Sequence, residues 1–291
     1  MRKASKLAFA VSCMTMAMSG IAHAGGHYVP GVEGIQAASV PPPGKYYLGY
    51  LVNYNIDKID GAPGQNDGTV TALANRFVWI TNQKFLGADY GLEAIVPLQS
   101  TSFTFNGIGY SGSSRGLGDV FLGPVVLGWH GSNWDSVFAL GLWFDNGDFS
   151  ATNPSSVGKG YKSTMWTLGG TVYPDSAKTW SISALARYEQ NGKQDQTGIT
   201  PGDGLSIEWG IGKQIGGGKQ LGLVGYYQKQ TTKDSGPGAL PVKPSKSAIG
   251  VQFDYPLMEH GVILKFAGYH EVSSNSDAKG NLFRVTLIKV F

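Results

Sequence analysis

The feature that most constrains this chain is a hydrophobic alternation with a period of two, repeated along nearly its whole length. In the first such run Tyr46, Leu48, Tyr50, Val52, Tyr54 and Ile56 share one face, while Tyr47, Gly49, Asn53 and Asn55 share the other. Successive side chains of a strand point to opposite faces, so this run predicts a β-strand with one apolar side. Similar runs follow at 69–80, 89–98, 118–129, 134–144, 164–173, 180–190, 204–213, 220–230, 246–255, 261–272 and 281–291. Their even number is the first requirement of an antiparallel barrel whose ends meet on one rim.

Strand length decides between a soluble sandwich and a membrane span. About eleven residues at roughly 3.3 Å each, tilted by roughly 40°, rise about 28 Å, close to the roughly 25 Å apolar band of an outer membrane. Strands of soluble sheets average only about five or six residues. The connections also alternate in length. Long ones fall at 57–68, 99–117, 145–163, 191–203, 231–245 and 273–280, and short ones at 81–88, 130–133, 174–179, 214–219 and 256–260. Short turns belong to the periplasmic rim of such barrels and long loops to the outside, which places both ends of the barrel in the periplasm. The sequence thus predicts an all-β fold, an up-and-down transmembrane antiparallel barrel of about twelve strands.

The N-terminus supports export. Arg2, Lys3 and Lys6 precede an apolar or small-residue stretch from Leu7 to Gly20, and Ala22-His23-Ala24 supplies a small-x-small site. This pattern predicts a signal peptide over 1–24 cleaved after Ala24. The leader holds three of the 23 basic residues and the single cysteine, leaving 20 basic against 20 acidic residues in the remainder. A balanced charge gives no reason to expect a nucleic-acid partner, and a cysteine-free exported chain must close its structure without disulfides. Residues 25–44, GGHYVPGVEGIQAASVPPPG, form a Gly/Pro-rich segment of periplasmic or lumenal placement, and residues 45–291 form the barrel.

Closure in lipid assigns the faces, since a charge facing the bilayer midplane costs roughly 2–4 kcal/mol. Trp180, Ile182, Ala184, Ala186 and Tyr188 lie opposite Ser181, Ser183, Arg187 and Glu189; Leu205, Ile207, Trp209 and Ile211 lie opposite Ser206 and Glu208. The same phase turns Arg76, Glu93, Asp254, Lys265 and Arg284 inward, together with Tyr47, Tyr226 and Tyr269. These charges are mixed in sign, so no single-sign ring predicts strong ion selection. Trp79, Trp129, Trp134, Trp180 and Tyr188 fall near strand ends, where amphipathic rings suit the interface. Phe283, Val285, Leu287 and the terminal Phe291 share a face interrupted by Lys289, a pattern that predicts recognition by outer-membrane assembly machinery through Phe291.

Residue chemistry offers little else. His130-Gly131-Ser132 and His270 near Ser273 and Ser274 are the positions from which an outer-membrane lipid-modifying enzyme would be built. His130 falls in a predicted periplasmic turn, the wrong end for outer-leaflet hydrolysis. Asp57, Asp60 and Asp67 are spread over a glycine-rich outer loop, where a solvated loop outweighs a calcium site. Gly216-Gly217-Gly218 lacks the lysine, serine and following helix of a phosphate loop. The expectation is a chain with no cofactor and no catalytic residue, of open oligomeric state, whose alternative roles are a lipid enzyme or an adhesive barrel acting through its loops.

Five segments resemble the MetA-pathway of phenol degradation family of outer-membrane transporters: HYVPGVEGIQAASVPPPGKYY at 27–47, GLGDVFLGPVVLGWH at 116–130, KTWSISALARYEQN at 178–191, TPGDGLSIEWGIGK at 200–213 and GLVGYYQKQTTKDSG at 222–236. The resemblance implies a barrel embedded in outer-membrane lipid that passes small organic, aromatic or hydrophobic solutes inward.

Overall fold

In the computed structural model, residues 26–61 and 63–291 are described. The predicted leader 1–24 and its cleavage at Ala24 lie outside these residues. The wall is built from β1 (Gly44–Ile59), β2 (Asn66–Phe85), β3 (Ala88–Phe105), β4 (Tyr110–Leu117), β5 (Phe121–His130), β6 (Trp134–Trp143) and β7 (Ser163–Val172). It continues through β8 (Trp180–Asn191), β9 (Gly204–Gln214), β10 (Gln220–Gln230), β11 (Ser245–Leu257), β12 (Val262–Asn275) and β13 (Ala278–Val290). Each strand pairs antiparallel with its neighbours, and β1 pairs with both β2 and β13, so the sheet closes.

Thirteen named strands make a twelve-stranded barrel because β4 and β5 occupy one position. Leu117 pairs with Leu98, the Gly118 amide donates to the Pro97 carbonyl at 2.9 Å, and Phe121 pairs with Ile95, so both run along β3 with a jog at 118–120. Segment 99–117, expected as a long loop, is therefore a hairpin. Its sequence is rich in Ser and Gly and has no apolar face, because it rises above the membrane where neither face meets lipid. Twenty residues in β2, at roughly 3.3 Å each and a tilt of roughly 40°, rise about 50 Å, twice the roughly 25 Å apolar band.

A second expected long loop, 273–280, narrows to a two-residue turn at Ser276 and Asp277. There β12 follows β11 up to Asn275 opposite Ser245, while β13 follows β1 up to Ala278 opposite Ile59. Polar residues that read as loop continue the ladder above the lipid. At the other rim the expected 81–88 turn tightens to Leu86 and Gly87, both with positive φ, between Phe85 and its partner Ala88.

The outer surface alternates as lipid requires. Leu168 is 65% exposed and Leu223 58%, while their neighbours Thr167 and Val224 are buried. Strand β1 reverses the expectation: Tyr50, Val52 and Ile56 are buried, and Tyr47 points outward. The Tyr47 ring lies 5.5 Å from Phe77, which is itself exposed, and its hydroxyl donates to Asn75 Oδ1 at 2.8 Å. The reason is that the inside is a packed core here, so the larger apolar face of β1 is the inner one.

Residues 26–43 supply that core. All three clusters of buried apolar side chains contain residues of this stretch. Ile35 packs with Tyr50, Val224 and Tyr269; Ala38 and Val40 with Val78, Ile80 and Leu185; Tyr28 with Phe121, Trp143 and Met165. The segment needs glycine at 34, where φ is +76° and a Cβ would collide with Gln252 Oε1.

Candidate functional site in the barrel interior

The inner segment carries one carboxylate, Glu33, and the wall directs arginines at it. Glu33 Oε1 accepts hydrogen bonds from Arg76 Nη1 at 3.0 Å and Arg187 Nη2 at 2.6 Å. Arg76 also binds Glu93 Oε2 at 2.6 Å. Burial pushes the Glu33 carboxyl upward, but Arg76, Arg187 and the more distant Arg284 overcome it and hold the group at about 2. The segment is thus locked in its ionised form.

Further contacts fix the segment along its length. Glu189 accepts the backbone N–H groups of His27 at 2.9 Å and Tyr28 at 2.7 Å. The Tyr28 hydroxyl donates to Glu208, while Arg187 donates to that hydroxyl at 2.5 Å and stacks its guanidinium 4.2 Å from the Tyr28 ring centroid. Arg284 donates to the Val32 carbonyl and, at 2.5 Å, to Gln252. Near the turn rim, the Ser39 hydroxyl meets the Tyr173 hydroxyl at 3.1 Å.

The structure therefore brings Arg76, Glu93, Arg187, Glu189, Glu208 and Arg284 together around residues 27–33. Asp254 pairs with Lys265 at 3.2 Å and accepts from Gln252 Nε2 at 2.7 Å, which joins it to Arg284. The Tyr226 and Tyr269 rings lie 5.6 Å apart, tilted by 45°, and the Tyr226 hydroxyl donates to Glu271 Oε1 at 2.7 Å. Glu271 in turn receives Tyr54 at 2.7 Å and pairs with Lys246 at 3.3 Å.

Between this network and the loop rim lies a cavity of about 300 Å³. Its floor includes Tyr28, Val32 and Glu33, its wall Val52, Ala72, Ile95 and Pro97, and its roof Phe149, Val157 and Lys159 from the loop after β6. That loop folds inward because Asp119, in the β4–β5 jog, accepts the Gly147 amide at 2.8 Å and the Lys159 amide at 2.7 Å. The same carboxylate faces His27 Nε2 at 3.2 Å, so one residue ties strand, loop and inner segment together.

The histidines weighed as catalytic have other partners. His130 Nδ1 meets Asp135 at 2.8 Å and Nε2 faces Asp89 at 3.5 Å, so both nitrogens are directed at carboxylates. His270 is exposed and bonded to Asn281. Of the loop aspartates, Asp60 pairs with Lys58 at 2.7 Å and Asp57 accepts from Asn281; no group of three metal-ligating side chains converges among the described residues.

A family model described as "Putative MetA-pathway of phenol degradation" matches residues 44–287. The chain belongs to this family. No curated protein matches it. Among solved structures it is similar to the COG4313 outer membrane channel from Pseudomonas putida F1, with a TM-score of 0.77 and 11% identity over 91% of this chain and 100% of that one. It is also similar to the translocator domain of autotransporter NalP from Neisseria meningitidis (TM-score 0.54, 10% identity, 86% and 90% covered) and to the β domain of the Bordetella autotransporter BrkA (TM-score 0.51, 14% identity, 85% and 99% covered). These likenesses show that this member of the family has an outer-membrane barrel fold.

Sequence reasoning reached the wall side of the network and missed its centre. His27, Tyr28 and Glu33 carry no periodicity, and Asp119, Lys159 and Tyr161 lie in a jog and a loop. One signal was available: Glu33 is the only carboxylate in residues 25–44, while Arg76, Arg187 and Arg284 all fall on the inner phase.

Proposed function

We propose that this protein is a passive channel of the Gram-negative outer membrane for small organic compounds, aromatic or hydrophobic in character. The observation that carries the reading is the cavity floored by the inner segment and walled largely by apolar side chains. It occupies the position a solute would reach from the loop rim. Family membership and the likeness to an outer-membrane channel support the same reading, with the loop rim outside and both ends of the wall in the periplasm.

Residues 26–43 act as the plug of this channel, and the charged and tyrosine residues assigned inward from the sequence, Tyr47 excepted, line its path or hold the plug across it. Solute moves down its gradient when the plug yields, with no energy source and no covalent chemistry. The test is flux of phenol and toluene into liposomes containing purified protein, against protein-free liposomes. Equal uptake by both would sink the proposal.

A further inference from the structure

The cavity contains polar groups that the plug network does not satisfy. Arg76, Arg187 and Lys246 at its edge are each matched to carboxylates. Lys159 is different: its backbone is pinned by Asp119 and by Gln194, which donates to its carbonyl at 2.6 Å, yet its ammonium has no hydrogen bond or ion pair among the described residues. Two residues on, the Tyr161 hydroxyl also has no hydrogen-bond partner among them, although the residue is only 2% exposed. Trp143 Nε1 is fully buried and has no partner either.

Two of these residues pack on one side chain. His27 stacks on Trp143 at 5.4 Å, meets Tyr161 edge-on at 4.8 Å, and faces Asp119, the acceptor of the Lys159 amide. All three residues line the cavity. Trp143 Nε1 is enclosed, whereas half-buried Lys159 and buried Tyr161 line the void with unpartnered polar groups, so an acceptor entering it meets two donors. Burial lowers the Lys159 pKa, with Asp119 opposing.

We propose that the cavity binds an aromatic carboxylate, its ring against Ile95 and Pro97 and its carboxylate on Lys159 Nζ and Tyr161 OH. A carboxylate accepts from both donors and brings no donor of its own into the apolar wall. A cavity of about 150 Å³ already holds benzene, so a single-ring acid fits the volume. The proposal rests on the channel reading and narrows its solute class.

The test is equilibrium dialysis of purified protein against benzoate and against benzyl alcohol, its neutral counterpart, corrected for partition into protein-free micelles. Benzoate binds about tenfold tighter or more, as charge-assisted hydrogen bonds predict. Lys159→Met removes that preference while leaving benzyl alcohol within about twofold, and Tyr161→Phe weakens benzoate by a few-fold. Equal affinity of the unmodified protein for the two compounds overturns the proposal, as does a preference that survives Lys159→Met. Flux separates the two levels: binding preference without liposome uptake of either compound leaves this site standing and refutes the channel. Uptake of both without preference does the reverse.

Discussion

Replacing Glu33 by Gln tests whether the plug is held by charge. The substitution keeps the side chain's shape and removes the carboxylate shared by Arg76 and Arg187, at 3.0 and 2.6 Å. Breaking a buried ion pair from one side costs about 3–5 kcal/mol, because the remaining charge stays buried. Here both arginines keep a second partner, Arg76 on Glu93 at 2.6 Å and Arg187 on Glu208 at 3.8 Å, which reduces the expected loss to about 2–3 kcal/mol. That loss falls on the seated state of residues 26–43 and leaves the wall ladder intact. At about 1.4 kcal/mol per tenfold, the unseated population rises about 30- to 150-fold. Single-channel recording in planar bilayers at pH 7 reads this as a matching rise in open time. Adding Arg187→Gln brings the protein back toward the parent, since the uncompensated charge is gone. An E33Q protein that is folded by heat-modified electrophoretic mobility yet keeps the parent's open time would refute an ionic latch.

The same carboxylate sets a pH dependence. Its pKa in the seated plug, about 2, lies below the ordinary 4.5, so its contribution is complete above pH 4.5 and is lost as pH falls through about 2. Conductance therefore stays constant from pH 7 to pH 5 in this respect, and an opening transition centred near pH 5 would contradict it. Gly34→Ala puts a Cβ into Gln252 at a positive φ and destabilises the seated plug by about 1–3 kcal/mol, seen as faster hydrogen exchange of residues 30–38. Leu168→Arg, on the outward face of β7, lowers unfolding free energy in lipid by about 2–4 kcal/mol, read from urea titration. Deleting Phe291, which is 77% exposed, lowers the yield of folded barrel in cells while leaving refolding into liposomes unchanged, if assembly machinery reads that residue.

The wall was legible because lipid imposes a strict rule at every outward position. Leu168, Ile182, Leu223 and Phe283 had to be apolar, and the charges between them had nowhere to go but inside. The rule weakens wherever lipid is absent. Strand β4 reads as loop because YSGSSRGL has polar residues on both faces, and the turn at Ser276 is hidden by the polar top of β12. It also fails where the inside is dry: Tyr47 was turned inward only because Tyr46, Leu48, Tyr50 and Val52 made the more apolar face. Residues 26–43 have neither period; their position and proline content allowed a lumenal placement, but nothing in the sequence announced that they dry the interior.

The interior is thereby divided into two physical regimes, and the division bears on conduction. From Ile35 to Val40 the plug packs against buried wall residues, so passage there requires the segment to move. Above Tyr28 lies the cavity of about 300 Å³, room enough for a single-ring solute. A channel must bind its solute strongly enough to collect it and weakly enough to release it. The plug's floor groups satisfy that condition if occupancy of the cavity loosens them, because Tyr28 and Glu33 contact both the cavity and the arginine network. His27 extends this coupling, being stacked on Trp143 and facing Asp119. A solute that reached Trp143 or Tyr161 would therefore touch the residues packed on His27, at the tip of the plug.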